Sequence, residues 1–337
     1  MEQQPNPQYF STFELPPEQN PLYRRNEKKN LSRIGLALFL YLIIAGLTQT
    51  LLMYVSYFFF PRFFQSDWFF PVSQIVPMYL VGFLAFYLML RGMPKKSPEK
   101  IKLGGENWVM FFAVSFLLMY VGSLIANFLM KAMEILRGAE IPNIVSDYIS
   151  NSSPVVNFIL VVLCAPIFEE LMFRKLLIDR MLPYSPCYAV LTSGLIFGLI
   201  HGNFYQFFYA FFLGTLFAFV YVKTGKLRYT IGMHMILNFT GSIIVDAISE
   251  LINGDAALHS SINPWRFVDT LYMLALLTVV VCGGILFFRN LSKFRLERTG
   301  DRALSLASQF RLGWGNIGML LFGILILSTF ILNIFFA

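Results

Sequence analysis

Two adjacent carboxylates and an arginine, in Glu169-Glu170-Leu171-Met172-Phe173-Arg174, sit inside a long apolar run. Ionised side chains in such a run are costly unless they are paired, buried in protein or turned toward water. Glu170 and Arg174 are four residues apart, so on a helix they share a face and can pair across one turn. Glu169 is rotated away by about 100° and is free for a different partner. The three histidines supply candidates. His201 closes the run Phe197-Gly198-Leu199-Ile200-His201. His234 opens His234-Met235-Ile236-Leu237-Asn238, whose two ends again share a helix face. His259, between Leu258 and Ser260 in a polar stretch, reads as a surface residue.

These residue types fit the activation of water. A carboxylate and an imidazole acting on one water can take its proton and pass it to a leaving group. His234 and Asn238 can then hold the oxyanion formed on an attacked carbonyl. No G-x-S-x-G elbow is present, and Cys164, Cys187 and Cys282 lie in apolar segments without ligand spacing. Glu169, His201 and His234 are the candidate ligands if a zinc ion takes part. The HExxH helix is missing, and the same residues can work without metal. Other readings remain open. One is a buried charge cluster that only ties helices together. Another is a proton-coupled transporter, in which the glutamates and histidines line a path.

The elements that must position these groups are membrane helices. The 337 residues are 57% hydrophobic and only 13% charged, whereas a soluble domain carries about a quarter charged residues. The expected fold class is all-α, a polytopic transmembrane helical bundle. Nine apolar segments follow a polar, proline-rich start: about 34–60, 69–90, 108–136, 154–181, 187–202, 204–222, 229–248, 265–288 and 313–336. Most have the roughly 20 residues needed to cross the hydrocarbon layer. The fifth is short and meets the sixth at Gly202-Asn203, so 187–222 is either a tight spanning hairpin or a re-entrant pair. Four regions result: a tail at 1–33, N-terminal membrane helices at 34–153, a catalytic-like core at 154–248, and an outer loop with C-terminal helices at 249–337.

The net charge of +7 does not point to nucleic acid. All but Arg62, Lys131, Arg137 and Arg266 of the 26 lysines and arginines fall on one side of the alternating segments. That asymmetry predicts a cytoplasmic N-terminus and an outer C-terminus, in a bacterial plasma membrane. The loop 289–311 mixes Phe294, Leu296, Leu304 and Phe310 with charges, and reads as a cytoplasmic loop with a lipid-facing role as the alternative.

In these three stretches the chain resembles the CAAX-protease and bacteriocin-processing family of intramembrane endopeptidases, the Abi family. Its signatures, EExxxR, FxxxH and HxxxN or HxxxD, appear here in order as Glu169 to Arg174, Phe197 to His201 and His234 to Asn238. The resemblance covers about residues 154–248. It implies that Glu169 activates water together with His201 and that Glu170 and Arg174 support the site. It also implies that His234 and Asn238 bind the oxyanion or complete the polar cavity. Both zinc-dependent and metal-independent mechanisms are attributed to the family. The implied partners are a peptide or lipid-anchored protein substrate and membrane lipids. Eukaryotic members remove the last three residues of prenylated Cys-a-a-X proteins. Bacterial members are linked to peptide maturation, bacteriocin immunity or surface-protein roles. A non-catalytic scaffold or bacteriocin-immunity protein is therefore the remaining alternative.

Overall fold

Local chemistry sets where the helices begin. Asn20-Pro21, Ser153-Pro154, Ser185-Pro186 and Asn263-Pro264 each place a side-chain oxygen where it accepts an otherwise unpaired N–H of the first turn. The proline that follows has no N–H to leave unpaired. The computed structural model describes residues 18–66, 68–143, 146–147, 149, 152–256 and 263–335. The start of the tail, His259 and most of the outer loop before Pro264 lie outside the described residues.

Ten principal helices are found among the described residues: α1 (Pro21–Phe59), α2 (Phe69–Leu90), α3 (Gly105–Arg137), α4 (Pro154–Met181), α5 (Pro186–Leu199), α6 (Phe204–Thr224), α7 (Leu227–Gly254), α8 (Pro264–Arg289), α9 (Leu306–Trp314) and α10 (Ile317–Phe335). The protein is an all-α polytopic membrane bundle. Eight helices among the described residues are long and apolar enough to cross a membrane. The fifth apolar segment is the short one, as expected: α5 has only 14 residues and rises about 21 Å. Its shortness comes from the Ser185 cap at one end and a turn at Gly202 (φ 67°) at the other, a conformation open to glycine.

The α5–α6 hairpin nonetheless reaches from one end of the bundle to the other. At its start Ser185 Oγ donates to Gln309 Oε1 (2.6 Å), and the Cys187 N–H donates to the Glu297 carbonyl (3.0 Å). At its tip the Gly202 carbonyl accepts from Asn333 Nδ2 (3.0 Å), and Tyr205 donates to the Ile141 carbonyl (2.9 Å). Arg137 donates to the Ile334 carbonyl in the same layer (2.5 Å).

The opposite end gathers the basic loops. Glu27 Oε1 meets Arg302 (3.0 Å) and its Oε2 accepts from Tyr184 (2.5 Å). Asp179 accepts from Ser97 (2.5 Å) and Tyr221 (2.8 Å) and pairs with Lys175 (2.7 Å). Segments assigned to one side by their charge thus touch one another, far apart though they are in sequence. Lys96 pairs with Asp301 there (2.9 Å).

Within the bundle α3 packs on α6 and α8, and α1 packs on α2 and α10. At the α1–α10 crossing Gly318 cannot be replaced, since a Cβ there would lie 1.9 Å from the Ser32 carbonyl oxygen. Such backbone approach is the usual means by which apolar helices associate in lipid. The four helices α4 to α7 pack together at the centre, and they carry all the chemistry-bearing residues singled out above. All three cysteines are free thiols.

Candidate active site

Helix α4 is not regular. The turns at Phe158–Cys164 and Glu170–Ile178 are wide, with each N–H reaching back five residues, a feature often found at functional sites. Pro166 accounts for the end of the first. The Ala165 N–H bonds the Leu160 carbonyl. In that wide pattern the Val161 carbonyl would need the N–H of residue 166, and proline has none. Asn238 Nδ2 from α7 donates to it instead (2.8 Å). A proline in α4 thereby creates the acceptor that fixes α7 one helical turn beyond His234.

The second wide turn begins at Glu170. Its carboxylate and the Arg174 guanidinium are both fully buried, with Arg174 Nε 3.0 Å from Glu170 Oε2. The alignment falls outside hydrogen-bonding range, and Nη1 and Nη2 of Arg174 find no acceptor. The contact is an ion pair without a directed hydrogen bond. Aromatic faces hold the cation as well: Phe197 lies 4.4 Å and Phe217 5.6 Å from the guanidinium carbon, within cation–π range.

His234 is buried between the two glutamates. Its Nδ1 is 3.2 Å from Glu170 Oε1 and its Nε2 is 3.8 Å from Glu169 Oε2. With Nδ1 donating to Glu170, the Nε2 edge is directed at Glu169. Glu169 is the more open of the pair, its side chain 21% exposed against 0% for Glu170. Adjacent in sequence, the two carboxylates therefore differ in surroundings, one locked to Arg174 and one reachable.

His201 stands at the end of α5. Its Nδ1 is 2.7 Å from the Phe197 carbonyl. A carbonyl only accepts, so Nδ1 carries the proton and Nε2 is left to face other groups. Among the described residues no hydrogen bond or ion pair joins His201 to Glu169, which the expected pairing on one water does not require. The Phe197 ring connects the parts: it is edge-on to His201 (5.1 Å) and to His234 (5.9 Å) and lies under Arg174. Ser193 Oγ donates to the Phe173 carbonyl (2.9 Å) and ties α5 to the wide turn of α4.

The structure thus brings Glu169, Glu170, Arg174 and His234 into direct contact and places His201 beside them across Phe197. Asn238 is joined to the backbone of α4, and the described contacts do not link it to a carboxylate. The zinc option finds no matching donor group, because no cluster of three or more His, Cys, Asp or Glu suited to a metal occurs among the described residues. Sequence reasoning treated Phe197 only as a motif position and missed Phe217, which lies 5.5 Å from the His234 ring. One phenylalanine among 37 carries no signal of such a role.

Beside His201 a cavity of about 550 Å³ opens between α1, α10 and the end of α5. Leu42, Gly46, Ile200, His201, Ile326 and Thr329 are among its walls.

The fold and this cluster define a polytopic helical membrane protein with a buried glutamate–histidine–arginine site. Residues 151–240 match the family model described as Rce1-like, type II CAAX prenyl endopeptidase Rce1-like, so this part of the chain carries a CAAX-protease-family domain. All six candidate residues lie inside the matched span. No curated protein and no solved structure matches the chain.

Proposed function

We propose that the protein is an intramembrane endopeptidase that hydrolyses a peptide bond of a peptide or membrane-anchored protein. The observation that carries this reading is His234 held between two unlike carboxylates, inside the span that matches the protease family model. Glu169, the reachable one, acts as base. It takes a proton from water, and the hydroxide attacks the substrate carbonyl. The proton then passes from Glu169 to the departing amine as the C–N bond breaks. His201 accepts a hydrogen bond from the same water at Nε2, its Nδ1 being engaged by the Phe197 carbonyl.

His234 serves the oxyanion. Its Nδ1 is held at Glu170 Oε1, which leaves the Nε2 edge to face the reacting carbonyl. Asn238 keeps one amide N–H after its bond to Val161. Glu170 and Arg174 hold His234 in place. These residues carry the reaction without a metal step.

The cavity at His201 is walled largely by apolar side chains of α1 and α10, which suits an apolar or lipid-bearing substrate arriving from the membrane plane. We place the N-terminus on the cytoplasmic side, because the basic loops gather at that end. The test is profiling of new peptide termini in membranes that carry the wild type or Glu169→Gln. Termini that depend on Glu169 support the hydrolase. A protein that binds partners equally in both forms while no terminus changes is a scaffold or immunity protein.

A further inference from the structure

The loop after α8 does not leave the bundle. Arg289 ends the helix, Leu291–Lys293 make one tight turn, and Phe294 then returns into the apolar interior. Its ring meets Phe111 (5.7 Å), Phe219 (5.4 Å) and Phe287 (5.1 Å). Three residues later the Glu297 carbonyl accepts the Cys187 N–H at the start of α5. The chain between these anchors closes one end of a groove of about 650 Å³. Side chains of α3, α5, α6 and α8 form the rest of it, among them Leu118, Leu191, Phe212 and Phe287.

Arg295 and Arg298 line the same groove at its loop end. Both are exposed, and neither has an ion-pair partner among the described residues. The one hydroxyl in the wall, Thr215, already donates to the Phe211 carbonyl (2.8 Å). We propose that this groove is a binding site for one anionic phospholipid. An acyl chain lies along the leucine and phenylalanine wall, and the phosphate rests between the Arg295 and Arg298 guanidiniums.

The choice of occupant follows from the lining. A bare anion has nothing to place against the apolar wall. A peptide segment would bring backbone N–H and C=O groups to a surface that offers them almost no partner. A phospholipid satisfies both parts, because guanidinium binds phosphate through paired N–H donors and hydrocarbon fills the remainder. The site lies at the end that carries the basic loops, where anionic headgroups attract arginine. It braces the start of α5, the helix that bears His201 at its other end, and it does not depend on the proposed hydrolysis.

Native mass spectrometry of the full chain tests this, with phosphatidylglycerol and phosphatidylcholine of identical acyl chains offered at equal concentration. The wild type is expected to retain phosphatidylglycerol preferentially. R295Q with R298Q should lower that retention by about tenfold and leave phosphatidylcholine unchanged. L191W, which fills the groove, should lower retention of both lipids, and R311Q, an exposed arginine of the same region outside the groove, should change neither. Retention unaffected by R295Q with R298Q overturns the proposal. So does a loss on that change together with no effect of L191W, since the arginines would then act as surface charge and not as part of a groove.

Discussion

The Arg174 guanidinium lies 4.4 Å above the Phe197 ring, with its side chain wholly buried and its outer nitrogens without an acceptor. The cation is therefore held by one carboxylate and two aromatic faces. Arg174→Ala leaves the buried Glu170 carboxylate without its ion-pair partner and with His234 alone to meet it, and should cost about 3–5 kcal/mol, read from thermal unfolding in detergent. Arg174→Lys keeps the charge but not the planar stack, so it should recover only part of that loss. Phe197→Leu should weaken the arrangement by about 1–2 kcal/mol and slow turnover as well, because the same ring borders both histidines.

His234 depends on Glu170 for its orientation. Glu170→Gln can still meet Nδ1 but no longer offers a charge to Arg174. Turnover should fall with little change in KM, as expected when the lost interaction matters in the transition state. A change confined to KM would place Glu170 in substrate binding.

Asn238 and Pro166 should be energetically coupled. Asn238→Ala leaves the half-buried Val161 carbonyl without a donor, at a cost of about 1–3 kcal/mol. Pro166→Ala restores a main-chain N–H at the position from which that carbonyl lacks a partner. In the Pro166→Ala background, Asn238→Ala should therefore cost less, with a coupling of about 0.5–3 kcal/mol in a double-mutant cycle. Strict additivity would show that the side chain does not replace the missing main-chain bond.

At the basic end, burial and the bond to the Glu27 carboxylate hold the Tyr184 phenol above its ordinary range. A raised folded pKa means that its contribution to stability is whole below the unfolded value, about 10, and is lost as pH rises past it. Alkaline unfolding of the wild type should steepen above that pH. Tyr184→Phe, which has no proton to lose, should show a shallower dependence in the same titration.

Much of this was legible in sequence because it is local. The apolar runs, the Asn-Pro and Ser-Pro caps and the i,i+4 spacing of Glu170 and Arg174 need no knowledge of neighbouring helices. The grouping of basic loops also followed from their order along the chain. The pairing of His234 with both glutamates was not legible, since it depends on how α7 is rotated against α4. The Asn238–Val161 bond, one of the contacts that set that rotation, arises only because α4 widens before Pro166. The end of α5 was not legible for a related reason: the apolar run continues to His201, but the helix ends at Leu199 before the chain turns at Gly202. The cation–π stacking of Arg174 joins three helices and leaves no mark in any one of them.

The central claim is that Glu169 activates water. Its most direct test is the cleavage rate of a verified substrate by the purified protein in liposomes, wild type against Glu169→Gln, with folding and substrate binding measured on both. The rate should fall by about 10²–10⁴-fold while binding persists. A Glu169→Gln protein that cleaves at close to the wild-type rate would contradict the account.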